Sequence, residues 1–190
     1  MNSLETRHDQ VVADTRRWLE QAVIGLNLCP FAKSVHVKNQ VHYVVDFNAD
    51  AEALLATLAT ELQALAESDP EQRDTTLLVM PDALADFLDF NDFCAQADDV
   101  LVSLELDGIL QVASFHPQFQ FAGTQVDDIS NCTNRGPYPT LHLLRESSID
   151  RAVAVFPEAE MIYERNIETL EKLGHDGWAA LNVGASPNTP

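Results

Sequence analysis

Apolar positions recur along this chain in helical and in strand-like rhythms, and their order sets the expected architecture. Over residues 4–26, Val11, Val12, Thr15, Trp18, Leu19, Ala22 and Val23 stand three or four apart, the spacing of one helix face. Gly25 and Asn27 end that helix. Residues 34–40 form a polar bridge, and 41–47 alternate as a strand with Val41, Tyr43 and Val45 on one side. Asn48 or Asp50 caps a helix over 51–67 whose stripe is Leu54, Leu55, Leu58, Leu62 and Leu65. A short apolar run at 75–80 reads as a buried strand. Helix follows from 83 to about 104, interrupted near Asn91, with Phe87, Leu88, Phe93, Val100 and Leu101 inward. Asp107-Gly108 turns the chain into a third strand, 109–115.

Residues 140–147 are expected to be helical. Ser148 then caps a helix carrying Ile149, Ala152, Val153 and Phe156, with a fourth strand over 152–156 as the alternative. The last long helix covers 158–173, and the tail packs Trp178 and Leu181. Strands alternating with helices of ten or more residues imply crossover connections. The expectation is therefore one α/β domain over residues 1–190, with 1–5 and 183–190 frayed. A small, mostly parallel sheet of three or four strands, a β-α-β-α-β core, is packed by N-terminal and C-terminal helices.

Composition narrows the function more than the fold. The chain has 190 residues, 46% of them hydrophobic, enough for a sizeable core. Thirty acidic against eleven basic residues give a net charge of -19. That balance argues against nucleic acid and anionic membrane surfaces as partners. No apolar run has spanning length, and the N-terminus lacks a signal-peptide pattern, so the expected location is cytoplasmic. Three cysteines, Cys29, Cys94 and Cys132, include no Cys-x-x-Cys pair and are too few for a four-cysteine zinc site.

Charge is unevenly spread. Residues 50–107 hold fifteen acids and one basic residue, Arg73, whereas 111–146 hold Asp127, Asp128 and Glu146 against Arg135 and Arg145. The chemistry-bearing side chains concentrate in that second region. His116 stands at the C-terminal edge of the third strand, where α/β sheets place sites. Asn131, Asn134 and Arg135 precede Gly136-Pro137-Tyr138-Pro139, a loop stiffened by its prolines. The asparagines either present amides to a ligand or hold the loop through backbone hydrogen bonds. Arg135 and Arg145 suit a carboxylate or phosphate, unless each pairs with a neighbouring acid. On a helix His142 and Glu146 would share a face, as a base with its orienting carboxylate, as metal ligands with His116, or as a polar surface. Cys29 lies just past a helix end, where the dipole disfavours a thiolate; Lys33 and His36 offset it, leaving a nucleophile partnered by His116 or His142, or a packed thiol.

Four motifs carry a resemblance. Leu28-Cys29-Pro30-Phe31-Ala32, Ser114-Phe115-His116-Pro117, Thr133-Asn134-Arg135-Gly136-Pro137-Tyr138-Pro139 and Leu141-His142-Leu143-Leu144-Arg145-Glu146, in this order, resemble a bacterial domain of unknown function, DUF1415. The resemblance runs from Trp18 to Trp178. It implies no activity or cofactor, and by analogy it brings Cys29 near the loop in space.

The expected function is a small enzyme acting on an anionic small molecule, in a pocket formed by residues 112–146 and the Cys29 turn. Cys29, His116, His142 and Glu146 would be catalytic; Lys33, Asn131, Asn134, Arg135, Tyr138 and Arg145 would bind ligand. One alternative is a metal-dependent enzyme using His116, His142 and Glu146. The other is a non-catalytic module whose acidic half, 50–107, faces a basic protein partner.

Overall fold

The structure is a computed structural model, and it describes residues 3–155 and 161–187. Helix α1, Ser3–Trp18, runs directly into a wider π-helical turn, Leu19–Ile24, and Asn27 ends it in the left-handed region at φ 54°. After a turn at 26–31 comes α2, Ala32–Val37, where a polar bridge was expected. The core elements follow: β1 Val41–Val45, α3 Ala51–Glu67, β2 Thr75–Val79, α4 Phe87–Ser103 and β3 Leu110–Phe115. Asp50 caps α3 by accepting the Ala53 N–H, and Asp86 caps α4 by accepting those of Leu88 and Asp89. Capping at Asp86 starts α4 four residues later than expected, and the helix has no break at Asn91.

A long loop with a 3₁₀ turn at Ile129–Asn134 leads to β4, Thr140–Arg145, then α5, Glu146–Val155. Helix α6, Ile162–Ala180, kinks at Gly174 (φ 69°) and includes Trp178. Phe156 and the expected start of the last helix at 158 lie outside the described residues. The tail expected to fray from 183 is tied down as far as it is described: Val183 is buried, and Ser186 bonds to Asp14.

The chain makes one α/β domain around a four-stranded sheet of order β1-β2-β4-β3. The sheet is mixed. β1 and β2 are parallel, and β4 is antiparallel to both of its neighbours. Strands β1, β2 and β3 thus share a direction, as a β-α-β-α-β core requires, but β4 returns between β2 and β3.

The expected helix at 140–147 is therefore a strand. Leu143 and Leu144 side by side satisfy either period, and six residues are too few to separate them. What decides is the vacant place between β2 and β3, where the segment gains two ladders of backbone hydrogen bonds. Leu141, Leu143 and Arg145 then face one side, and Thr140, His142 and Leu144 the other.

Each sheet face has its own cover. Leu78, Leu110, Leu141 and Leu143 pack under Leu54, Leu58, Leu62 and Leu65 of α3 and Phe90, Phe93 and Ala97 of α4. Leu88, expected inward, is 71% exposed because the α4 stripe runs through Phe90, Phe93, Ala97 and Leu101 instead. The opposite face carries three aligned rows: Val41-Thr75-Leu144-Gln111, Tyr43-Leu77-His142-Ala113 and Val45-Val79-Thr140-Phe115. Val11 of α1 packs with Leu77, Val79 and Tyr138, and Trp18 with Phe115, over this face. Gln111, Ala113, His142 and Leu144, toward β3, are only half-buried.

Candidate functional site

The expected site residues separate into those that knit the long loop and those that lie on the sheet. His116 is fully buried, its ring 5.0 Å from that of Phe90 and 5.4 Å from that of Phe87. The Leu84 carbonyl, 2.9 Å from Nε2, can only accept, and the Gln118 N–H, 3.0 Å from Nδ1, can only donate. His116 is thus a neutral Nε2–H tautomer with both nitrogens occupied, and burial lowers its pKa. It also supports Leu84, a non-glycine residue in the left-handed region at φ 56°.

Asn131 is fully buried as well. Its Oδ1 accepts from the Phe121 N–H and the Thr124 hydroxyl, and its Nδ2 donates to the Gln125 carbonyl. Asn134 donates to the Ser114 carbonyl. Arg135 donates through Nε to the Phe119 carbonyl at 3.1 Å and through Nη2 to that of Val126 at 2.6 Å, and its own carbonyl accepts the Trp18 indole N–H. Arg145 points toward the α3 side, its Nη2 among the carbonyls of Leu65, Ser68 and Arg73 at the C-terminal end of α3. A cation there completes the last turn and meets the negative end of the helix dipole. The Arg135 guanidinium is thereby committed to backbone carbonyls, and that of Arg145 to carbonyls and, at 4.0 Å from its Nε, to the Asp74 carboxylate. The Tyr138 hydroxyl donates to Asp14 Oδ2 at 2.7 Å, and burial with the Asp14 charge raises its pKa.

Lys33 is exposed on α2, and Glu146 is half-buried at the start of α5. On a strand, residues four apart are separated by roughly 13 Å, so His142 and Glu146 do not form the expected helix-face pair. Among the described residues no group of three His, Cys, Asp or Glu side chains is placed to hold a metal ion. His116, on the α4 side, is also apart from His142, which points toward α1.

His142 is the exception to this structural pattern. Its Nε2 lies 2.6 Å from Thr75 Oγ1, and the same hydroxyl lies 2.7 Å from the Leu143 carbonyl. A carbonyl only accepts, and Thr75 has one proton. Both contacts are satisfied together when Thr75 donates to Leu143 and His142 donates from Nε2 to Thr75. The imidazole is then neutral, with its Nδ1 lone pair bare, and Nδ1 makes no hydrogen bond among the described residues. Burial pushes the pKa down to about 4, so the ring is neutral throughout the physiological range. Phe115 lies beside it, ring centroids 6.2 Å apart.

Cys29 joins this face from the turn after the π-helical segment. Both Cys29 and Phe115 pack against the Trp18, Leu19 and Ala22 cluster. Burial raises the Cys29 pKa, and the Phe31 and Ala32 N–H groups oppose that more weakly, so the group is a thiol. Tyr43 shares the row of His142, across Leu77, with the Arg16 guanidinium 5.4 Å from its ring centroid. Thr75, Tyr43 and Phe115 were missed as site residues in the sequence. Their signal was present, since alternation in β1 and β2 places Tyr43 and Thr75 on one face. What it lacked was the strand assignment of residues 140–145 that puts His142 beside them.

No helix among the described residues is long and apolar enough to cross a membrane. No curated protein and no solved structure matches the chain. A family described as a protein of unknown function matches residues 10–180, which include all four motifs and every strand of the sheet. This chain belongs to that family, DUF1415.

Proposed function

We propose that this chain binds a small uncharged ligand on the half-covered part of the sheet, with His142 Nδ1 accepting a ligand N–H or O–H. One observation carries the reading: Thr75 fixes His142 in the tautomer that leaves Nδ1 bare, in a half-buried position beside the Phe115 ring. A neutral imidazole offers no charge to an anion, and Arg135 and Arg145 donate to carbonyls instead, so an uncharged donor with an apolar body suits the site better than a carboxylate. With its pKa at about 4, His142 is a hydrogen-bond acceptor first and a weak general base second. The three cysteines, all free thiols, fit a reducing compartment such as the cytoplasm.

The test is a titration followed on the His142 ring resonances, with phenol and indole as uncharged donors and benzoate and benzylammonium as charged counterparts. Saturable shifts from the uncharged pair, weakened in Thr75→Val, support the reading. Shifts from benzoate alone would restore the anion-binding alternative, and none from any probe would remove the site.

A second reading concerns the α3–α4 layer. Arg73, the one basic residue of 50–107, is paired with Glu61, while Asp89, Asp92 and Asp99 line the exposed side of α4 with Leu88. This surface suits a basic protein partner. Binding lost on neutralising these acids, but unaffected by His142→Ala, distinguishes it from the first reading.

A further inference from the structure

A cleft of about 230 Å³ lies between α6 and the 26–30 turn, lined by Leu26, Asn27, Pro30, Ile162, Asn166 and Thr169 among others. None of its lining residues belongs to the sheet. Asn166 is buried, with 5% exposure, and its side-chain amide is oriented by a single contact. The Leu28 carbonyl, 2.9 Å away, can only accept, so the atom facing it is Nδ2, and Oδ1 is the free end. That oxygen makes no hydrogen bond among the described residues, and neither does the Thr169 hydroxyl. From an otherwise buried residue, Asn166 thus presents an oriented acceptor that is open to the cleft rather than sealed off from it. The charges at the cleft are one of each sign, Arg165 and Glu168, while Leu26, Pro30 and Ile162 supply apolar wall.

We infer that this cleft binds an uncharged carboxamide. The ligand N–H donates to Asn166 Oδ1, its carbonyl accepts from the Thr169 hydroxyl, and its aliphatic part lies against Pro30 and Ile162. A carboxylate would oppose Asn166 Oδ1 with a second acceptor, and an ammonium would leave Thr169 without an acceptor to serve. The group could come from a small primary amide or from a peptide bond of another chain, and the two are separable by experiment.

The measurement is a titration of the full chain, labelled with nitrogen-15, followed on the Asn166 side-chain amide. Propionamide represents the small amide, N-acetylalanine N′-methylamide the peptide, and propionate and propylammonium the charged counterparts. Saturable movement of the Asn166 signals by at least one amide, with Thr169→Val weakening it about tenfold at an unchanged unfolding temperature, is the expected result. Stronger binding of the peptide analogue assigns the cleft to a peptide; binding of propionamide alone assigns it to a small molecule. The inference is overturned if neither amide saturates, if the charged probes match them, or if Thr169→Val titrates like the unaltered protein.

Discussion

Asp14 and Tyr138, 124 residues apart in sequence, share a 2.7 Å hydrogen bond that fastens the end of the long loop to the first helix. The same buried carboxylate accepts the Ser186 N–H and hydroxyl and the Gln10 amide, and it pairs with Arg17 at 3.0 Å. Burial alone would raise the Asp14 pKa, but the Ser186, Tyr138 and Gln10 donors outweigh it and hold the carboxyl below its usual range. One side chain thus joins α1, the loop and the tail.

From that arrangement, Tyr138→Phe should cost about 1.5–3 kcal/mol, the worth of a hydrogen bond to a charged acceptor. Asp14→Ala should cost about 3–5 kcal/mol, because Arg17 and several donors lose their partner together. Chemical denaturation at neutral pH measures both. The sign of the pH dependence follows from the lowered pKa. The carboxylate's contribution is present above the unfolded value, about 3.9, and is lost as pH falls through the lower folded value. The difference between the unaltered protein and Asp14→Asn should therefore hold at neutral pH and shrink in acid; a difference unchanged in acid would be inconsistent with it.

His142 gives a dependence of the same sign in a higher pH window. Its folded pKa, about 4, lies below that of a free histidine, so between the two values the unfolded chain binds a proton that the folded chain does not. Stability should rise with pH over that window, by up to about 3 kcal/mol on the linkage relation. In His142→Gln that part of the rise should vanish while the acid limb due to Asp14 remains. Denaturant midpoints at several pH values separate the two.

Arg145 should be intolerant of change for a reason unrelated to ligands. Arg145→Met removes the donors at the end of α3, leaving the Leu65 carbonyl only its Ser68 bonds and Asp74 without its cation, at a cost of about 2–4 kcal/mol. If this residue bound an anion instead, the variant would lose affinity while keeping its stability.

Glu105 offers a test in the stabilising direction. It follows α4 with φ at 57°, its N–H reaching the Val102 carbonyl and that of Leu106 reaching Leu101, the paired bonds of a Schellman ending. Glycine adopts this backbone without a Cβ clash, so Glu105→Gly should stabilise by about 1 kcal/mol. A lower unfolding temperature would show that the Glu105 side chain contributes more than its backbone costs.

Much of the fold was legible from periodicity. The α3 stripe at Leu54, Leu58, Leu62 and Leu65 is long enough for one period to win, and strands β1, β2 and β3 stood between clear turn signals. Residues 140–145 were not legible, because the place they fill is made by strands distant in sequence. That one assignment also displaced the site. Read as a helix, His142 was paired with Glu146; as a strand, it meets Thr75, a residue whose polarity gave no hint of its role. The loop was rightly seen as polar and organised, but its donors serve its own carbonyls: Asn131 reaches Gln125, and Arg135 reaches Phe119 and Val126. Satisfaction of that kind depends on where carbonyls point, which composition does not encode.

The most direct measurement is a long-range proton–nitrogen-15 spectrum of the His142 ring, followed from about pH 5 to about pH 8, a range that spans the free-histidine pKa. The ring should be neutral throughout, with the proton on Nε2 and Nδ1 unprotonated, and Thr75→Val should disturb that tautomer. A proton on Nδ1, or a titration near the free-histidine value, would contradict the account, since His142 would then lack the bare acceptor on which the proposed site depends.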